Sequence, residues 1–175
     1  MKDPFQEDLN ESFEPITGTS VTLRPLRPED RDVELAFVSG LSPETRSNRL
    51  LGGARQITRE YIESLVNVDY SRDMALAATT MLDGETLIGV ARYVLEKDNK
   101  TAEFAIVIAD AWQGRGIGRR LLAKLSDIAG RRGVKRLYGD ILAMNRPMLA
   151  LATKLGFKLS RHEDPTLTRA ALRLR

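Results

Sequence analysis

Apolar residues recur along this chain with two different periods, and the change between them falls near Met74. Before it, Val21 to Leu26 is a strand-like run in which Pro25 marks an edge or an end. Pro28, Glu29 and Asp30 then open a helix reaching about Val38, since proline and acids suit a first helical turn, and Gly40 closes it. Ser42, Pro43 and Glu44 repeat the start signal for a short helix toward Leu50, and Thr58 caps another through about Val66.

From Met74 onward the pattern turns strand-like. Met74 to Leu82 and Glu85 to Leu95 join at Asp83 and Gly84, a favoured hairpin pair, and Lys97 to Lys100 turn the chain into Thr101 to Ala109. Arg119 to Ala129 then reads as a helix, with Leu121, Leu122, Leu125, Ile128 and Ala129 on one face and Gly130 and Gly133 at its exit. Val134 to Leu142 is strand-like, Asn145, Arg146 and Pro147 open a last helix, and Leu155, Gly156 and Phe157 lead into the next strand. Thr166 to Leu174 closes the sheet. The expected fold is α/β (α+β): a mixed, mostly antiparallel twisted sheet of roughly six to seven strands flanked by about four helices. Residues 1 to 18 sustain no period and read as a flexible acidic arm, leaving 19 to 175 as one domain.

Composition narrows the chemistry. The chain has 175 residues, 42% of them hydrophobic, enough for one well-buried core and short for two. It has no cysteine, so disulfides, thiolate zinc sites and cysteine nucleophiles are excluded. The sole histidine, His162, sits in a polar run that reads as a solvated turn, and no metal is expected. No apolar run suits a membrane span or a secretion signal, which points to a soluble, cytoplasmic protein with no membrane partner. Residues 1 to 17 carry a net charge of −4 and the remainder +7, a balance open to a phosphate-rich cofactor or an acidic partner. Nucleic acid is not expected: aromatic content is 6%, and no aromatic pair stands among basic residues.

The segment Gln113, Gly114, Arg115, Gly116, Ile117, Gly118 lies between a strand-like and a helix-like run. A chain that leaves a strand, turns tightly and enters a helix aims unpaired backbone N–H groups and the positive end of the helix dipole at one point. Glycine permits the turn and lets a phosphate approach the backbone. A nucleotide-triphosphate loop would need lysine after Gly118, where Arg119 stands. The dinucleotide fingerprint would need a glycine at Arg119 itself.

What the segment does resemble is the Gln/Arg-x-x-Gly-x-Gly/Ala pyrophosphate loop of the GNAT superfamily of acyl-CoA-dependent N-acyltransferases. The resemblance extends through Asn145-Arg146-Pro147 and Leu155-Gly156-Phe157. More narrowly, Leu23-Arg-Pro-Leu-Arg-Pro-Glu-Asp30, Leu41-Ser-Pro-Glu-Thr-Arg46, Asp69-Tyr70, Ala102-Glu-Phe-Ala105 and Asn145-Arg-Pro-Met148 are similar to the acetyltransferase domain of bacterial Pat-type protein lysine acetyltransferases. In that group the domain is often joined to an acyl-CoA-synthetase-like or cyclic-nucleotide-binding module, which these residues are not expected to contain.

The resemblance implies acetyl-CoA as co-substrate and direct transfer of acetyl from the thioester to an amine. The acceptor is expected to be a protein lysine; a small amine, or a non-catalytic acyl-CoA sensor, are the other readings. A homodimer is compatible with all three. Such chemistry needs a base, because a lysine amine of pKa about 10.4 is almost fully protonated at pH 7. Glu103 is the ionisable residue in the otherwise apolar Ala102 to Ala109 run, and the resemblance places the Pat-type general base there. Read without the resemblance, it is a strand-edge glutamate paired, for example, with Arg92.

The resemblance further implies a splayed strand whose main chain at Ile106, Val107 and Ile108 holds the pantetheine arm. It also implies that the loop residues Gln113, Gly114, Arg115, Gly116, Ile117 and Gly118, with Arg119, grip the phosphates, and that Asn145 stands beside pantetheine while also able to cap its helix. Arg120 is a further phosphate candidate, whereas Arg131, Arg132, Lys135 and Arg136 read as a solvated face. The tyrosine that serves many of these enzymes as general acid is replaced by Ala152, leaving Tyr70 and Tyr138 as donors to consider.

Overall fold

The computed structural model describes residues 9–175. Its strands are β1 (Glu11–Ile16), β2 (Thr19–Pro25), β3 (Met74–Leu82), β4 (Gly84–Leu95), β5 (Thr101–Ile108), β6 (Arg136–Leu142), β7 (Lys158–Arg161) and β8 (Leu167–Arg173). The helices are α1 (Arg31–Gly40), α2 (Pro43–Arg49), α3 (Arg59–Val66), α4 (Ile117–Arg131) and α5 (Arg146–Lys154), with short 3-10 turns at Pro28–Asp30 and Asp110–Trp112. One sheet runs in the order β1-β2-β3-β4-β5-β6-β8-β7, antiparallel except for the β5–β6 pair.

The sheet has one strand more than the pattern suggests, because Glu11–Ile16, left in the arm by the sequence, forms β1. Its register against β2 shifts between Phe13 and Ile16, which places Pro15 in an irregularity of an edge strand, where the missing N–H costs least. Proline and acids hide the alternation, yet Leu9 is fully buried and Phe13 packs on the core. Residues 1–8 of the expected arm lie outside the described residues.

Side chains of β3 alternate between two cores, as period-2 geometry requires. Leu76 and Ala78 join Leu121, Leu122, Leu125 and Ile128 of α4 on one face, while Ala75 and Ala77 join Phe37 and Val66 of α1 and α3 on the other. Both faces of the central strands are therefore covered. Among the described residues, no helix is long and apolar enough to cross a membrane.

One local conflict opens the sheet. β5 pairs with β4 as far as Ile108, but its parallel pairing with β6 covers only Thr101, Ala102 and Glu103. Just beyond, the Phe104 ring occupies the space above Gly139 of β6, where an added Cβ would lie 2.7 Å from ring atoms. The ring also meets Phe157 edge-on, with centroids 5.2 Å apart. A side chain at residue 139 must displace that wedge. Gly139→Ala is expected to lower Tm by about 2–12 °C, the effect of about 1–3 kcal/mol of overpacking in a domain of this size. Adding Phe104→Leu should recover part of the loss; an unchanged Tm in the single variant would show that the wedge is not tight.

Candidate active site

Where β5 and β6 part, a cleft of about 740 Å³ opens, lined by Glu103, Ile106, Ile108, Gly116, Asn145 and Asp140 among others. Hydrogen-bond parity fixes which backbone groups face it. Ala109 N–H donates to Ile88 C=O at 2.8 Å and Glu96 N–H to Thr101 C=O at 2.8 Å, so odd-numbered residues of β5 bond to β4. The main-chain groups of Phe104, Ile106 and Ile108 therefore face the open side. Two of the three expected main-chain positions face it, Ile106 and Ile108, the latter through its N–H because its carbonyl accepts from the Gln113 side chain at 3.0 Å. Val107 is not: its backbone belongs to the β4 ladder and its side chain packs with the α1 core.

The turn that follows has the expected form. Gly114 and Gly116 have φ of +73° and +82°, values that favour glycine, and a Cβ on either would meet nothing within 4 Å. Gly116 caps α4, so the N–H groups of Ile117, Gly118 and Arg119 belong to a first helical turn with no acceptor inside the helix. Among the described residues, none of the N–H groups from Gly114 to Arg119 donates to another group. Gly118 serves packing, since a Cβ there would meet Leu151 at 3.4 Å and Ile108 at 3.6 Å.

Gln113 behaves differently. Its backbone N–H donates to Asp110 C=O at 3.3 Å, and its side-chain amide donates to Thr45 Oγ1 at 3.1 Å and Ile108 C=O at 3.0 Å. It braces the turn against the strand. The brace continues through Asp110, whose carboxylate accepts from Ser42 N–H at 2.9 Å, Ser42 Oγ at 2.6 Å and Thr45 Oγ1 at 2.7 Å. These bonds, chiefly the Ser42 hydroxyl, hold the Asp110 carboxyl down to about 2. The start of α2 is thereby fastened to the loop. The sequence shows Ser42 as a cap but gives no sign of Asp110, because its partners lie more than sixty residues away.

Glu103 stands exposed at the last β5–β6 pair, opposite Tyr138. Partial burial first, then the Asp140 and Glu96 carboxylates, push its pKa upward, with Arg169 and Arg49 opposing. It forms no strand-edge pair with Arg92, which sits opposite Ala105 and donates to Leu65 C=O at 3.2 Å. Asp140, also in the cleft wall, is gripped by Arg169 at 2.9 and 3.1 Å and meets His162 Nε2 at 3.3 Å. The Arg169 bonds lead in lowering its pKa. His162, expected as a solvated turn residue, is thus a half-buried partner of a cleft carboxylate.

The remaining candidates divide clearly. Asn145 caps α5, its Oδ1 accepting from Met148 N–H at 3.3 Å, and also lines the cleft. Arg119 lines the cleft, and Arg115 lies over the Trp112 ring at 5.4 Å. Arg120 turns away to Glu11 at 2.7 Å and the Phe13 ring at 4.4 Å. Arg132 is bound to Asp73 C=O, Tyr93 and Tyr70 C=O at the far end of α4, about 20 Å from the loop by helical rise. Tyr70 donates to Leu26 and Ala75 carbonyls, and Tyr138 pairs with Glu96. Burial raises the pKa of both phenols. Ala152 is buried in the core and brings no acid to the cleft. Among the described residues, no group of three or more metal-binding side chains is assembled.

Known proteins resemble this chain in sequence and in fold. Residues 49–157 match the family model described as "Acetyltransferase (GNAT) family". An acetyltransferase of Pseudomonas aeruginosa is 38% identical over 148 residues, 84% of this chain and 80% of that protein. Acetyltransferase Pat of Mycolicibacterium smegmatis is 36% identical over 141 residues, 80% of this chain but 42% of that longer protein. In fold, the crystal structure of the GNAT domain of S. lividans PAT superposes with a TM-score of 0.85 at 22% identity, covering 95% of this chain and 98% of that one.

Proposed function

The chain belongs to the acetyltransferase (GNAT) family, and on that premise we propose that it transfers acetyl from acetyl-CoA to the Nε-amine of a protein lysine, in the cytoplasm. It is an acyltransferase. The observation that carries the lysine reading is the setting of Glu103: an exposed carboxylate at the mouth of an open cleft, with Asp140 and Glu96 close enough to raise its pKa. A flexible lysine can reach such a lip, and its ammonium is drawn to the carboxylates. The Pat relative and the Pat-like sequence segments support the same choice.

In this reading the free N–H groups from Gly114 to Arg119 hold the diphosphate, with Arg115 and Arg119 supplying charge. Ile106 and Ile108 pair through main chain with the pantetheine arm, Asn145 lies beside it, and an N–H of the open strand polarises the thioester carbonyl. Glu103 takes the ammonium proton, the amine forms the new C–N bond, the C–S bond breaks, and the second nitrogen proton passes to solvent. The thiolate leaves without a protein acid, as a thiol of ordinary pKa about 8.5 permits. Gln113 acts as the brace of this cradle, and Val107 as packing.

Asp140 offers a check on the electrostatics. Its charge raises the Glu103 pKa, so Asp140→Asn should lower that pKa and move the rising limb of the pH–rate profile to lower pH. A profile that stays in place would separate Asp140 from the base. The acceptor class is tested by incubating purified protein and isotope-labelled acetyl-CoA with a host lysate, beside a panel of free amines. Label on protein lysines is expected; label confined to free amines would overturn the reading.

A further inference from the structure

Beside the cleft lies a smaller recess that the acetyl-transfer chemistry leaves unused. Its floor is the cross-strand patch of Val90 and Arg92 on β4 against Val107 and Ala105 on β5, and Arg49, Ala105 and Val107 line both it and the cleft. Its walls bring Arg46, Arg49 and Arg55 together with a single acid, Glu34. The free space is about 40 Å³, against the roughly 10–15 Å³ that one water requires, so it admits a group of carboxylate size.

Two orphaned atoms mark the recess as incomplete. Among the described residues, three buried side-chain polar atoms lack a hydrogen-bond partner, and two of them, Glu34 Oε2 and Arg46 Nε, belong to its wall. Glu34 is 2% exposed. Groups in that state are rare in folded proteins and costly unless a ligand or water completes them. Four arginines against one glutamate select an anion, and guanidinium groups match carboxylate geometry.

We infer that this recess binds the side-chain carboxylate of an acidic residue near the acceptor lysine, making the enzyme selective for lysines with such a neighbour. The inference rests on the protein-lysine reading. Ala105 lies two residues beyond Glu103 on the same strand face, about 7 Å away. An extended peptide advances about 3.3–3.6 Å per residue, so a residue one to three positions from the lysine spans the gap. The bound carboxylate pairs with the guanidinium groups that line the recess. Glu34, whose carboxyl is raised chiefly by burial against the opposing charge of Arg92, can share a proton with it.

The test compares matched lysine peptides carrying Glu or Gln at each of the flanking positions. At one position the Glu peptide should have about tenfold higher kcat/KM, roughly the contribution of one charge-assisted contact. Arg49→Gln, which removes no hydrogen bond among the described residues, and Arg92→Gln should each bring that ratio near unity. No acid preference at any position, or a preference that survives both variants, would overturn the inference. A second arm needs no turnover: glutarate, but not its diamide, should shift the Nε–H signals of Arg46 and Arg49 in an NMR titration. Failure of that shift sinks the recess even if lysines are acetylated. A shift with no peptide turnover sinks the lysine acceptor alone. A preference for succinyl-CoA over butyryl-CoA, with none among peptides, would place the carboxylate on the donor and also contradict the assignment.

Discussion

Glu103→Gln is expected to lower kcat at pH 7 by about 10²–10⁴-fold while leaving acetyl-CoA affinity within about twofold. The size follows from the nucleophile. Exposing the lone pair of a lysine of pKa about 10.4 costs roughly 4–5 kcal/mol at neutrality, and a positioned carboxylate recovers much of it. Glutamine keeps the shape and loses the proton acceptor. The deficit should shrink as pH rises toward the amine pKa, because solvent hydroxide then removes the proton without help. In the parent enzyme the rising limb should lie above the ordinary glutamate range, the direction in which burial, Asp140 and Glu96 move Glu103. Measuring kcat from pH 6 to 10 for both proteins checks the account; parallel profiles of equal height would remove Glu103 from the chemistry.

The second large effect is on binding. Gly116→Glu should weaken acetyl-CoA by at least about 100-fold, since it places a carboxylate where the N-terminus of α4 and the free N–H groups await an anion. Gly116→Ala separates charge from backbone strain. Both replacements carry the cost of φ +82°, about 1–2 kcal/mol for a residue with a Cβ, and neither Cβ meets another atom within 4 Å. The two variants should therefore melt at similar temperatures yet differ at least tenfold in affinity by calorimetry. Equal affinities would mean that the phosphates sit elsewhere.

Much of the scaffold was legible because its signals are local. The α4 stripe from Leu121 to Ala129, the Asp83–Gly84 hairpin and the Ser42 and Thr58 caps are each written within a few residues, and each appears where expected. The cleft was legible only as a place. The opening depends on Phe104 meeting Gly139, residues on different strands with no shared pattern. Likewise, the loop glycines announce an anion cradle, but nothing near Gln113 reveals that its side chain is spent on Thr45 and Ile108. Arg120 and Arg119 look interchangeable in sequence. A rotation of about 100° per residue on the helix sends one to Glu11 and leaves the other in the cleft. Strand parity similarly removed Val107 from the main-chain set, and only the hydrogen bonds of neighbouring strands could fix it.

The central claim is that the main chain between Gly114 and Arg119 receives the diphosphate of acetyl-CoA. A crystal structure of the complex tests it most directly. The account predicts phosphate oxygens about 2.7–3.2 Å from several of those N–H nitrogens, with the thioester leading along Ile106 toward Glu103. A diphosphate seated on the arginines beyond α4, with the turn still facing water, would contradict it.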